Sequence, residues 1–274
     1  MYPHLGNQDW LTAYGLFMII GLAACWWLAR RAAVRAGIDP SHIDLALPLA
    51  FIVGAACVAL VTGPRIRLYP LVFGCTGALF AYSRVAKLPF RALLDIFALP
   101  TLAAIAIQRI GCFLAGCCWG DVAVQDDWLH VIAGTGLGSQ LQTWPWAAGD
   151  WVLTAVQFPA GSPAWQQHLA AGLITEDALA SLPVHPTQLY EPGLLLVVIF
   201  LLSRMARRQM PAGSVALAAF AAYGVVRFGL EFLRADNIGF IGNLTLPQLT
   251  SAAVFFVALL LLDLNRANLR RAIA

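Results

Sequence analysis

Apolar and polar positions alternate along this chain on a long scale, with seven apolar runs separated by short polar breaks and one long polar interval. The runs cover roughly Leu11–Ala29, Ile43–Thr62, Leu68–Tyr82, Leu93–Leu114, Leu189–Leu202, Ser214–Leu230 and Pro247–Leu262. A bilayer core takes about 20 helical residues, with a lower limit near 17, so the shorter runs are expected to extend a few residues into their flanks. The polar interval, Asp121 to Val184, predicts an external head (121–184) inserted into a single integral membrane domain spanning 1–274. The head reads as irregular apart from short helices. Gly161-Ser162-Pro163 before Ala164–Leu169 predicts a capped amphipathic helix, and Thr175-Glu176-Asp177-Ala178-Leu179 a second with acids in its first turn. Trp144, Trp146, Trp151 and Trp165 suit an interfacial belt, where an indole keeps one edge wet and one apolar.

Composition agrees with the pattern. Hydrophobic residues make up 60% of the chain and charged residues only 11%, with a mean hydropathy of +0.75, whereas a soluble globule carries about 25% charge. The expected class is an all-α polytopic membrane protein. Its net charge of +3 is small and its basic residues form no patch, which excludes nucleic acid as a partner. Twelve of the seventeen Lys and Arg follow the first, third, fifth and seventh runs: Arg30, Arg31 and Arg35; Arg84, Lys87 and Arg91; Arg204, Arg207 and Arg208; Arg266, Arg270 and Arg271. By the positive-inside rule those ends are cytoplasmic, which puts the N-terminus and the head outside and the C-terminus inside. No Lys or Arg precedes the first run, the reverse of a cleavable signal peptide, so that run is expected to stay as a span.

Five arginines break the topology rule: Arg65, Arg67, Arg109, Arg227 and Arg234 lie at or near the outer ends of spans, where exceptions are usually kept for ligands. Arg109 closes the fourth run and is followed by Gly111, Gly116 and Gly120, which suit a backbone that packs closely or leaves the helix. An arginine at a helix centre costs roughly 2.5–3.5 kcal/mol, so such a residue normally faces protein or a wet cavity with an anionic partner. This stretch reads as the floor of a site. Where the head returns to the membrane stands His185-Pro186-Thr187-Gln188-Leu189-Tyr190-Glu191, with Pro186 suited to a helix start whose free N–H groups serve an anion. The alternative is that His185 and Glu191 only cap and anchor the span. Tyr223, Arg227, Glu231 and Arg234 fall on one face at helical spacing, with Arg227 and Glu231 placed to pair, either for a ligand or as a tether between helices.

Six cysteines occur, and Cys25, Cys57 and Cys75 sit in apolar runs as small packing residues. Cys112, Cys117 and Cys118 cluster instead beside Arg109, where a guanidinium favours thiolate and suggests an acceptor, a redox pair or a soft-metal site. Against these stand the lack of any CxxC or zinc-finger spacing and the strain of a disulfide between neighbours.

Taken in order, Arg109-Ile110-Gly111 with Trp119-Gly120, then His185 to Glu191, then Tyr223-Gly224 with Arg227-Phe228 and Glu231-Phe232, resemble the signatures of bacterial prolipoprotein diacylglyceryl transferases. Tyr14-Gly15, Asp95 and Leu246-Pro247-Gln248-Leu249 are similar too, so the resemblance covers nearly the whole chain. It implies a multi-pass enzyme of the bacterial cytoplasmic (inner) membrane. Its reaction moves the diacylglyceryl group of phosphatidylglycerol to the thiol of a lipobox cysteine in the signal-peptide region of a prolipoprotein, and releases glycerol phosphate. No metal and no soluble cofactor is implied. Arg109 and Arg227 suit the phosphate, Glu231 orients Arg227, Tyr223 donates a hydrogen bond and His185 is the candidate base, these five forming the expected catalytic set. Arg109, Arg234, Tyr14, Tyr69, Gln188 and Glu191 are expected to bind substrate. The chain departs from the family pattern at three places. The Asn, Asn and Glu that follow the family's arginine are Cys112, Ala115 and Cys117 here; a family histidine aligns with Tyr69; and a second-span arginine is replaced by Gly54-Ala55-Ala56-Cys57. A divergent member with another acceptor, or a thiol-based redox or metal-handling protein using Cys112, Cys117 and Cys118 on the same scaffold, is the alternative. An organic-anion transporter is disfavoured by the lack of a midplane relay or a repeated half.

Overall fold

A computed structural model describes residues 12–62, 68–122, 155–208, 210–234, 239–241 and 244–273. Its helices are α1 (Ala13–Arg35), α2 (Ser41–Thr62), α3 (Leu68–Val85), α4 (Phe90–Ala115), α5 (Pro163–Ala170), α6 (Thr187–Met205), α7 (Ser214–Glu231) and α8 (Leu246–Ile273). The strands β1 (Gly239–Ile241) and β2 (Leu244–Thr245) pair antiparallel just before α8. Every apolar run is thus a helix. Among the described residues six helices are long and apolar enough to cross a membrane. The 18-residue α3 is not one of them, because Tyr69, Thr76, Tyr82, Ser83 and Arg84 dilute its apolar character. At 1.5 Å per residue it rises about 27 Å, just under a hydrocarbon core of about 30 Å. The fold is therefore an all-α multi-pass membrane protein.

Four arginines of the basic clusters share one local device. Arg30, Arg31, Arg84 and Arg204 lie over the rings of Trp26, Trp27, Phe80 and Phe200, each four residues earlier, at 5.3, 3.6, 5.3 and 4.5 Å from the ring centroids. Spacing by four puts both side chains on one helix face, and the ring quadrupole attracts the cation at the level where aromatic belts sit.

The chain divides into two compact units. One comprises Met18–Ile107, Leu194–Val226 and Leu249–Ala274. Its core is built from small and branched side chains, with Ala29, Ala33, Ile43, Leu93, Ile96 and Phe97 buried together. Gly54 and Cys57 of α2 pack on Cys75 and Gly74 of α3, so the second-span region that lacks the family's arginine is a small-residue helix contact. Asp95 projects from α4 to the start of α7, where its carboxylate accepts from the N–H groups of Gly213 (2.7 Å) and Ala216 (2.8 Å). A carboxylate there satisfies otherwise orphaned donors and complements the helix dipole. Large side chains such as Leu60, Ile52, Leu196 and Phe256 are exposed, as expected of surfaces solvated by lipid.

The other unit comprises Met1–Phe17, Gln108–Gly193 and Arg227–Gln248. It gathers the N-terminal ends of α1, α6 and α8 with the C-terminal ends of α4 and α7, the ends that carry no basic cluster. Helix α4 stops at Gly116, whose φ of +69° is the left-handed conformation that only glycine adopts without strain. The N–H of Cys117 donates to Cys112 O and that of Gly116 to Phe113 O, both at 3.1 Å, the pair of bonds that defines a Schellman cap. Three residues later Gly120 is held in extended chain. Its N–H donates to His185 O (2.8 Å), the next N–H, of Asp121, donates to Leu233 O (2.8 Å), and His185 N–H donates to Asp121 O (3.1 Å).

The described part of the head folds within this unit around buried Phe158, Ala164 and Val184. Helix α5 starts as expected, with Ser162 Oγ accepting from Trp165 N–H at 3.3 Å. Thr175–Leu179 is not a helix but a turn, closed by Ala178 N–H to Thr175 O (3.1 Å), and the Trp165 indole donates to Ala178 O (2.8 Å). Five residues are too few to repay helix nucleation once the chain turns away. Trp144, Trp146 and Trp151 lie outside the described residues, as do Arg65 and Arg67.

A Cβ on Gly120 would lie 2.6 Å from both His185 O and Leu233 O, two backbone atoms that cannot yield. Gly120→Ala is expected to destabilise the chain by about 1–3 kcal/mol. Gly193→Ala, where a Cβ meets nothing within 4 Å, is expected to be neutral or to stabilise by up to ~1 kcal/mol. Unfolding in detergent followed by circular dichroism checks both, and equal behaviour of the two variants would refute the close approach.

Candidate active site

Arg109 leaves the penultimate turn of α4 and Glu191 the second turn of α6, and they meet with Nε 2.8 Å from Glu191 Oε2. Both side chains are nearly enclosed, at 11% and 3% exposure. The sequence requires an anionic partner for Arg109, and Glu191, read from sequence as a ligand contact or an anchor, is that partner. Nη1 of Arg109 lies 4.0 Å from Cys112 Sγ, and Gln108 Nε2 lies 3.3 Å from the same sulfur.

The expected pair on α7 forms as well, with Arg227 Nη2 2.7 Å from Glu231 Oε2 and exposures of 11% and 4%. Glu231 is the last residue of α7, so Arg234 does not continue the helical face. It sits instead in extended chain, bridged to Gly120, and its charge reaches Cys118. The other oxygen of Glu231 accepts from Thr245 Oγ1 at 3.1 Å. Thr245 in turn caps α8: its Oγ1 accepts from Gln248 N–H (3.3 Å) while its own N–H donates to Gln248 Oε1 (2.9 Å). This reciprocal arrangement is a capping box, and Thr245-Leu246-Pro247-Gln248 carries its T-x-x-Q signature. That signal could have placed Thr245 in the site from sequence.

Helix α6 opens one residue after Pro186, and its first two side chains reach back to the α4 cap. Thr187 Oγ1 donates to Cys118 O and Gln188 Nε2 to Cys117 O, each at 2.8 Å. His185 is buried beside Tyr190, whose hydroxyl lies 3.5 Å from His185 Nδ1. Two buried polar atoms of this unit, Trp119 Nε1 and Gln188 Oε1, have no hydrogen-bond partner among the described residues. Trp119 stands outside the expected site residues, although its indole next to Gly120 was visible in the chain.

The sulfurs of Cys112, Cys117 and Cys118 lie within 4.8 Å of one another, and Tyr14 lies within electrostatic range of all three and of Arg109. Hydrogen bonds from the Cys112 and Cys117 thiols, with the Arg234 and Arg109 guanidiniums nearby, hold the Cys118 thiol well below the usual thiol range. This unit therefore brings together Tyr14, Arg109, Cys112, Cys117, Cys118, His185, Gln188, Glu191, Arg227, Glu231 and Arg234. Tyr69 and Tyr223 belong to the other unit. There Tyr69 shares a hydrogen bond with Ser251, and Tyr223 is buried against Leu102, Ala106, Leu195 and Ala219.

Removing one member of an enclosed ion pair strands the other. Glu191→Ala is expected to cost about 3–5 kcal/mol, and Arg109→Met with Glu191→Leu to recover most of it, because two apolar groups need no compensation. Chemical denaturation of the detergent-solubilised chain measures both; a single substitution costing under about 1 kcal/mol, as at a surface pair, would refute the enclosed pairing.

A family model described as prolipoprotein diacylglyceryl transferase matches residues 68–263. The phosphatidylglycerol–prolipoprotein diacylglyceryl transferase of Nitratidesulfovibrio vulgaris (strain Miyazaki F) is 28% identical over 286 aligned residues, which cover 92% of this chain and 89% of its own. The protein of that name from Proteus mirabilis is 25% identical over 272 residues, with 90% and 85% covered. A third, from Paraburkholderia phymatum, reaches 32% identity over a shorter stretch of 178 residues, 63% of this chain and 52% of that one. With the family match extending from α3 to α8, this chain belongs to the prolipoprotein diacylglyceryl transferase family.

Proposed function

We propose that this membrane transferase moves the diacylglyceryl group of phosphatidylglycerol to the thiol of a lipobox cysteine at the outer face of the bacterial inner membrane. The observation that carries the reading is the pair of enclosed guanidiniums, Arg109 and Arg227, each oriented by its own carboxylate in one compact unit. The helix ends that hold them are the ones without basic clusters, which supports an outer-leaflet location.

In this mechanism the acceptor sulfur attacks the glycerol carbon that carries the phosphate. A carbon–sulfur bond forms, the carbon–oxygen bond to phosphorus breaks, and glycerol phosphate leaves with the electron pair. Arg109 and Arg227 stabilise the charge that grows on the leaving phosphate, since a guanidinium stays charged in apolar surroundings and matches phosphate oxygens in pairs. Glu191 and Glu231 hold the guanidiniums in place, and Thr245 fixes Glu231 in turn. His185 takes the proton of the acceptor thiol. The donor on Trp119 and the acceptor on Gln188, both buried and unmatched among the described residues, suit the hydroxyls of the lipid headgroup, because an unmatched buried group costs about 1–3 kcal/mol until a ligand satisfies it.

The test is twofold: rescue of a strain depleted of its own transferase, and conversion of a lipobox peptide by the purified chain in phosphatidylglycerol vesicles, followed by mass shift and glycerol phosphate release. Arg109→Lys and Arg227→Lys are each expected to lower turnover about 100- to 1,000-fold, as for lost oxyanion donors. Tolerance of both substitutions, with loss of activity in Cys117→Ser and Cys118→Ser, would move the chemistry to the thiols.

A further inference from the structure

Three thiols lie together in a unit otherwise explained by phosphate chemistry, and the reaction above uses none of them. Their sulfurs are mutually within 4.8 Å, Cys112 is buried, and Cys117 and Cys118 are half-buried. The backbone that presents them is fixed by contacts that do not involve the sulfurs. The Schellman cap folds Cys117 back over Cys112, five residues earlier, through the 3.1 Å bond between their main chains. The carbonyls of Cys117 and Cys118 are then clamped at 2.8 Å by Gln188 and Thr187 from the start of α6. Cys118 itself has a φ of +62°, a conformation costing a side-chain-bearing residue about 1–3 kcal/mol and found where the surroundings dictate it. That turn keeps the third sulfur with the other two.

From this arrangement we infer that Cys112, Cys117 and Cys118 form a three-coordinate site for a soft monovalent metal ion, Cu(I) in the first place. With a metal–sulfur bond of about 2.3 Å, three thiolates in a plane stand about 4.0 Å apart, and the sulfurs here already lie within 4.8 Å of one another. Softness selects the ion, because an all-thiolate set favours Cu(I), zinc or iron–sulfur clusters. Coordination number favours Cu(I) over structural zinc and iron–sulfur clusters. Structural zinc is held by four ligands and iron–sulfur clusters by four cysteines, whereas this group has three members among the described residues, with no His, Asp or Glu joining it. Charge agrees with the choice. Three thiolates around one monovalent ion carry two net negative charges, and Arg109 and Arg234 both lie within electrostatic range of Cys118.

The site adjoins Arg109, so its test reads metal binding and not turnover. The reduced full chain, purified in detergent under argon, is titrated against Cu(I) held by bicinchoninate, whose colour reports the copper withdrawn. One Cu(I) per chain is expected, and the same stoichiometry in Cys25→Ser/Cys57→Ser/Cys75→Ser. Changes to the groups that only orient metal ligands weaken sites 10- to 100-fold, so loss of a direct ligand in Cys112→Ser, Cys117→Ser or Cys118→Ser is expected to weaken binding by about 100-fold or more. X-ray absorption of the loaded chain should show three sulfurs at a single distance. The proposal is overturned if the chain withdraws no copper, if the three single variants bind as the parent does, if Cys25→Ser/Cys57→Ser/Cys75→Ser loses the ion, or if equimolar Zn(II) displaces it.

Discussion

The structure depends on neutralising guanidiniums at the edge of an apolar bundle. An arginine there has neither water nor lipid to solvate it fully, and its charge survives only where a carboxylate meets it inside the protein. Arg109 obtains Glu191 from α6, and Arg227 obtains Glu231 from its own helix. The two solutions differ in consequence. A pair at i,i+4 organises one helix end, whereas a pair joining α4 to α6 fixes two elements and everything attached to their ends. The α4 cap gains a further tie to the same helix start, through Thr187 and Gln188.

Helix termini supply most of the remaining order. The first-turn donors of α7 are answered by Asp95, those of α8 by Thr245 and Gln248, and the side chains that open α6 turn outward to clamp the carbonyls of Cys117 and Cys118. Each device satisfies backbone groups that would otherwise be stranded where water is scarce. In α8 the same atoms also reach the site, since Thr245 is both an N-cap and a donor to Glu231. Charged residues are only 11% of this chain, and a residue such as Thr245 serves two purposes.

Local patterns in the chain were readable where a single helix decided the outcome. The seven apolar runs, the Ser162 cap, the Arg227–Glu231 pair and the departure of α4 from helix at its glycines follow from periodicity, capping chemistry and spacing. Pairings across long stretches of sequence were not readable. Nothing in the neighbourhood of Arg109 points to Glu191, because the pairing depends on how α4 and α6 pack. Helical spacing puts Arg234 on a face that stops at Glu231, since Phe232 and Leu233 continue the apolar character while the backbone has already turned. Thr175–Leu179 has helix-like composition but too little length to fold alone. Tyr223 lies at helical spacing from Arg227 and is buried with Leu102, Ala106, Leu195 and Ala219.

The extended chain at Gly120 has a consequence for biosynthesis. Gly120 and Asp121 are bonded to His185 and Leu233, segments that leave the ribosome much later. At about 5–20 residues per second, Glu191 emerges some 4–16 s after Arg109 and Leu233 a few seconds later still. Throughout that interval the nascent fourth helix carries an uncompensated arginine at its rim, and the thiols beside it have no clamp. A chain arrested before α6 lacks Glu191, Thr187 and Gln188, and with them the partners of Arg109 and of the α4 cap.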